Sequence, residues 1–296
     1  LKFIVMSDIH LSPEGEATNG LDTTKRLQAA IDSANTNHGD ADFCIFAGDL
    51  ADRGEVPAYA ILDRMIDQLK MPVVLTLGNH DHRDRFKEIF GTLHDDENGH
   101  IQKAIDVKGY RVIVIDSSEP EIVSGVLCEQ RLAWLAARLE EAQERPVIIV
   151  MHHHANDLHM PVDQIKLQQS EAFRDVLKTH PDVRQVIAGH VHRPTTGLWH
   201  GIPLTTISGN HYDVNAHLPG MPGEALRLDG PAQYAVVLAD ENSTLVHFHD
   251  YIHRHAEMAD GLFRRRRKHA EETAPFPCER KRCRRNSSQA RSRFWL

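Results

Sequence analysis

The chain has 296 residues, 41% of them hydrophobic and 26% charged, with a net charge of −8. That is long enough for a large packed domain and ordinary for a folded protein, which excludes a disulfide mini-scaffold and global disorder. The charge is unevenly divided: residues 261–296 carry twelve Lys or Arg against three Glu, a balance of +9 that leaves −17 on residues 1–260. An acidic body disfavours duplex nucleic acid as a partner, because such binding rests on neutralising phosphates. No run of eighteen apolar residues occurs and the amino end lacks a basic-then-apolar leader pattern, so neither a membrane span nor a leader is expected. The four cysteines, Cys44, Cys128, Cys278 and Cys283, form no regular ladder and fit a reducing, cytoplasmic compartment.

Along the chain, short apolar runs alternate with helical spacing. Residues 2–7 read as a buried strand that ends in Asp8-Ile9-His10, and residues 22–34 as a helix with apolar side chains three and four apart. A second strand at 42–47 ends in Gly48-Asp49, and a helix follows at 57–69. The third strand, 71–77, runs into Gly78-Asn79-His80-Asp81. Strands are expected at 101–107 and 110–116, then a helix at 129–142. The strand at 147–151 ends in His152, a helix spans 168–178, and the strand at 184–188 ends in Gly189-His190-Val191-His192. Later strands at 204–208, 234–238 and 244–249 complete the pattern, and with 101–107 and 110–116 they are expected to form an antiparallel second sheet. The alternation argues an α/β fold with crossover helices over residues 1–257. Residues 258–296 have charge but no apolar periodicity and are expected to be a solvated, disordered tail, a nucleic-acid or membrane-surface arm being the other reading. Its Cys278 and Cys283 have no matching second pair for a zinc site and stay unassigned.

Ligands in such sheets gather beyond the carboxyl ends of the strands. The residues delivered there are Asp8, His10, Asp49, Asn79, His152, His190 and His192, all oxygen or imidazole donors. Such donors suit Mn, Fe, Co or Zn rather than thiolate chemistry. Seven donors exceed one tetrahedral site. A carboxylate such as Asp49 can bridge two ions, an arrangement that suits hydrolysis of a phosphate ester. The chain has 21 His, and His38, His82, His94, His100, His159, His180, His217, His253, His255 and His269 are expected at the surface.

Taken together, Asp-x-His, Gly-Asp, Gly-Asn-His-Asp, Met-His-His and Gly-His-Val-His resemble the calcineurin-like metallophosphoesterase superfamily, and within it the bacterial class III cyclic-nucleotide phosphodiesterases and glycerophosphodiesterases. The resemblance covers residues 1–255. It implies a four-layer α/β/β/α sandwich of two mixed sheets with two divalent ions at the strand ends. Asp8, His10, Asp49 and His192 would hold the first ion, and Asp49, Asn79, His152 and His190 the second. His80 would face the phosphate as a general acid or electrostatic stabiliser, with Asp52 supporting it. Arg53 in Asp52-Arg53-Gly54 is either a phosphate contact or a structural cation, and His211 would lie on the substrate side with Asn79 and His80. The implied activity is hydrolysis of small phosphodiesters, cyclic AMP or glycerophosphodiesters, by a bridging hydroxide.

The alternative is a phosphoprotein or phosphomonoester phosphatase, favoured by Asp52-Arg53-Gly54 but opposed by Gly-Asn-His-Asp and by Gly-His-Val-His. A non-enzymatic scaffold would lack ligands, and none is missing. The sequence departs from the family where Met151-His152-His153 is followed by His154-Ala155 without the usual proline. The loops at 11–20, 116–128 and 155–166 carry no readable substrate code, and a homo-oligomer is left open.

Overall fold

The structure is a computed structural model and describes residues 1–252. The tail read at 258–296, with Cys278, Cys283, His253, His255 and His269, lies outside the described residues.

The elements run β1 (Lys2–Met6), α1 (Thr23–Asn37), β2 (Phe43–Ala47), α2 (Val56–Ile66), β3 (Val73–Thr76), α3 (Arg83–Phe90), β4 (Lys103–Val107) and β5 (Tyr110–Ile115). There follow α4 (Glu129–Glu140), β6 (Val147–Met151), a 3₁₀ turn at Pro161–Ile165, α5 (Ser170–Leu177) and β7 (Val183–Ala188). The last strands are β8 (Thr195–Trp199), β9 (Ile202–Thr206), the two-residue β10 (Asp213–Val214) and β11 (Arg227–Leu228), β12 (Ala232–Ala239) and β13 (Thr244–Ile252). Local chemistry sets several boundaries. Asp22 caps α1 by accepting from Lys25 N, Pro57 sits in the first turn of α2, and α3 stops at Gly91, whose φ is 60°.

Two sheets carry the core. The first has the order β13-β12-β1-β2-β3, parallel from β1 to β3 with β12 and β13 antiparallel. The second has the order β4-β5-β6-β7-β9-β8, parallel from β5 to β9 with antiparallel edges. Side-chain alternation then builds four layers. Phe3, Val5, Phe43 and Ile45 meet Val112, Val114, Ile148 and Val150 between the sheets. Ile4, Met6, Cys44 and Phe46 face outward onto Leu27, Ile31, Tyr59 and Leu62 of α1 and α2. On the other side Ile113, Ile149 and Val186 pack on Trp134, Leu135 and Phe173 of α4 and α5. Strands buried on both faces explain the continuous apolar runs.

The expected antiparallel second sheet is corrected by this topology. Crossovers through α4 and α5 bring β6 and β7 parallel to β5, so the five polar strand ends come from two sheets. His180 is likewise corrected: it is buried, with Nε2 on the Ala142 carbonyl at 2.9 Å and Nδ1 accepting from Asp182 N at 3.1 Å, where it ties the turn before β7. A surface histidine would leave those backbone groups to water.

Candidate metal centre

The strand ends converge. Asp8, His10, Asp49 and His192 are buried, and each offers an atom within 4.8 Å of the others. Their backbones are strained to achieve this. Five of the ten non-glycine residues with left-handed backbone among the described residues are Asp8, His10, Asp49, His190 and His192, with φ between 49° and 68°. Such backbone costs of order 1–3 kcal/mol per residue and persists where the surroundings enforce it. Close approach also dictates glycine. A Cβ on Gly78 would sit 2.2 Å from Asp49 Oδ1.

The protonation pattern follows from what each imidazole touches on its far side. His152 Nδ1 lies 2.9 Å from the Ala47 carbonyl and His192 Nδ1 lies 2.9 Å from the Tyr212 carbonyl, so both nitrogens donate. His10 Nδ1 is 3.2 Å from Asp52 Oδ1 and donates as well. In the neutral rings their Nε2 atoms are bare lone pairs. These lone pairs point at one another and at carboxylates. His10 Nε2 and His192 Nε2 are 3.3 Å apart, and His192 Nε2 is 3.2 Å from Asp8 Oδ1. His152 Nε2 lies 3.2 Å from Asn79 Oδ1 and 3.3 Å from His190 Nδ1. Asp49 Oδ2 lies between the two sets, 3.6 Å from His10 Nε2 and 3.3 Å from His152 Nε2. Convergent acceptors without a donor between them fit divalent cations, so the donor set suits the group it is expected to hold.

Comparison with known proteins decides the family. The model of the calcineurin-like phosphoesterase family matches residues 1–194. A probable cyclic nucleotide phosphodiesterase of Rhodopseudomonas palustris is 32% identical over 257 residues, which is 83% of this chain and 91% of that protein. This chain belongs to the calcineurin-like phosphoesterase family. Within the family, a probable glycerophosphodiester phosphodiesterase of Arcobacter nitrofigilis is 32% identical over 71% of this chain and 79% of its own length. A dimetal phosphatase of Danio rerio shares the fold, with a TM-score of 0.63 at 17% identity over 85% of this chain and 96% of that one. Calcineurin-like phosphoesterases use divalent metals, and the cluster described here can hold them.

Electrostatics divide the imidazoles: against burial, Asp49 raises His152 to about 9 and the Asp52 hydrogen bond raises His10, so these two would bind a metal in exchange for a proton. Burial and the neighbouring imidazoles push His190 well below the ordinary histidine range, and burial pushes His192 down to about 4. Burial opposes ionisation of Asp49, but His152 holds its carboxyl well below the usual carboxylate range. Asp49 also accepts the His80 backbone N–H on Oδ1 at 2.9 Å.

Beside the centre opens a cavity of about 270 Å³, lined among others by His10, Asp52, Arg53, His80, Tyr212 and Arg227. His80 is exposed there, with Nδ1 2.6 Å from the Asp52 backbone carbonyl and its ring edge-on to His10 at 4.6 Å. The Asp52 carboxylate hydrogen-bonds His10 and lies within 4.8 Å of the His80 ring, while its backbone carbonyl orients His80. Arg53 is 79% exposed, with Nε 3.7 Å from Asp52 Oδ2. His211 is fully buried rather than lining the cavity, and its Nε2 is 2.8 Å from the Thr18 carbonyl. It therefore ties the loop after Leu11 to the loop that carries Tyr212.

Two residues were outside the sequence reading. Arg227 reaches the cavity from the β10–β11 ribbon, its guanidinium 5.0 Å over the Tyr212 ring, which itself stacks on His192 at 4.1 Å. No sequence signal marks a two-residue strand. Asp81 was visible in Gly-Asn-His-Asp but had no assigned role. Its Oδ1 accepts from Ala51 N at 3.0 Å and Tyr59 OH at 3.0 Å, and its Oδ2 accepts from Gly78 N at 2.9 Å. Leu50 N adds a bond at 3.1 Å. Asp81 thereby clamps the Asp49 loop to the Asn79 loop. Asp81→Ala is expected to leave these donors without an acceptor and to cost about 3 kcal/mol or more. Urea unfolding of the metal-free protein measures this, and a loss below about 0.5 kcal/mol, the scatter of ordinary surface changes, would contradict the clamp.

Proposed function

We propose that the chain is a binuclear metal-dependent phosphodiesterase acting on small diesters, 3′,5′-cyclic nucleotides or glycerophosphodiesters. The observation that carries the reading is Asp49 Oδ2, placed between two sets of bare imidazole and carbonyl lone pairs. Asp8, His10, Asp49 and His192 would hold one ion, and Asp49, Asn79, His152 and His190 the other. Oxygen and imidazole donors without thiolate suit Mn, Fe, Co or Zn. When bound, two such ions supply a hydroxide nucleophile near neutral pH and hold the phosphoryl oxygens.

The protein's own groups do the rest. Ala47 and Tyr212 carbonyls and the Asp52 carboxylate fix the tautomers of His152, His192 and His10. His80, its Nδ1–H held on the Asp52 carbonyl, lines the cavity, and as the imidazolium it would donate its Nε2 proton to the leaving group. Arg53 and Arg227 supply positive charge at the mouth of an acidic body. A 270 Å³ cavity supports a small diester over an extended protein substrate. Free Cys44 and Cys128 fit a reducing compartment, so a cytoplasmic location is part of the same reading.

An activity panel with added Mn²⁺ tests this: cyclic AMP, glycerophosphoethanolamine, a bis-aryl phosphate and a phosphopeptide. The diesters are expected to turn over fastest. A phosphopeptide that outran every diester would overturn the reading in favour of the phosphatase alternative.

A further inference from the structure

His190 is the exception among the four imidazoles of the centre. It turns Nδ1 toward His152 Nε2 at 3.3 Å, so when Nδ1 is the ligating atom its Nε2 carries the proton, and that buried nitrogen has no partner among the described residues. A buried N–H left without an acceptor costs about 1–3 kcal/mol. His153 packs against the His190 ring at 4.6 Å but has nothing to offer, because its Nδ1 is 2.8 Å from Ser117 Oγ and its Nε2 3.1 Å from the Val123 carbonyl. His154 differs. It is fully buried, its Nε2 lies 3.3 Å from Asp163 Oδ1 and donates there, and its Nδ1 is therefore a bare, buried, partnerless acceptor. The His154 and His190 rings are nearly parallel, 27° apart in plane, with centres 6.0 Å apart. The two orphaned nitrogens share no direct hydrogen bond, and between rings this close one bridging water would satisfy both. Asp163 is itself held, accepting from Leu158 N at 2.9 Å and Met160 N at 3.2 Å.

We propose that His154 and Asp163 are positioning residues for His190, joined to it through one buried water, and so set the affinity of the metal site that His190 serves. The proposal rests on the binuclear reading above. It accounts for the departure Met151-His152-His153-His154, since a proline at that place could offer no side-chain acceptor. Outer partners of this kind typically change metal affinity about 10 to 100-fold.

The test is calorimetric titration of the metal-free full-length protein with Mn²⁺. His154→Ala is expected to weaken one of two sites about 10 to 100-fold and leave the other unchanged. His154→Gln, whose amide oxygen can accept from the same water, should recover most of the loss. Asp163→Asn should weaken the same site, and its effect should not add to that of His154→Ala. Thermal midpoints of the metal-free variants provide the fold control, and if His154→Ala does not fold, the Gln and Asn variants carry the comparison. Unchanged affinity at both sites, equal loss at both, or no recovery with Gln would overturn the proposal. A wild-type protein that binds fewer than two ions would instead overturn the binuclear reading itself.

Discussion

Asp49→Asn is expected to abolish diester turnover while leaving a folded protein. Asn matches Asp in shape and tolerates the left-handed backbone at φ 51°, and its amide oxygen can still accept the His80 N–H that Asp49 Oδ1 accepts at 2.9 Å. What it loses is the anionic oxygen between His10 and His152. Both ions would lose a shared ligand, so the effect should exceed the 10 to 100-fold typical of an outer-shell change. His192→Ala removes a donor from one set alone and should weaken mainly one ion. Metal content after dialysis, measured beside the rate, checks both variants. Equal and small effects would contradict the bridge.

His80→Ala should cost about 10² to 10⁴-fold on a glycerol or ribose diester, and much less on a nitrophenyl diester. The reason is leaving-group chemistry. An alkoxide needs a proton to depart, whereas a nitrophenolate departs without one. Nδ1–H is held on the Asp52 carbonyl at 2.6 Å, which leaves Nε2 for the cavity, where the imidazolium form would be the donor. Because the Asp52 carboxylate serves His10, Asp52→Asn should weaken metal binding rather than reproduce the leaving-group dependence. Rates on both substrate classes, with metal content verified, separate the roles. A uniform loss with His80→Ala would point to electrostatic stabilisation instead of proton donation.

Much of this was legible in the chain because buried strands and ligand residues leave a joint signature. An apolar run that stops at Asp, Asn or His marks a strand end, and β1, β2, β3, β6 and β7 each end in that way. Elements without a buried stripe were not legible. Helix α3 buries only Phe86, and β8 is a largely exposed edge. The partition of strands between sheets depends on crossovers that periodicity does not encode. The outer partners were hidden for another reason: Ala47 and Tyr212 act on the centre, and Asp52 on His80, through backbone carbonyls, which any residue possesses. Asp163 is nine residues from His154, and only the loop between them brings the pair together.

The central claim is that two ions share Asp49. Anomalous diffraction from crystals of the Mn²⁺-loaded protein tests it most directly. The account predicts two peaks roughly 3.5–4 Å apart, one beside Asp8, His10 and His192 and the other beside Asn79, His152 and His190, with Asp49 between them. A single peak, or two that do not share Asp49, would contradict it.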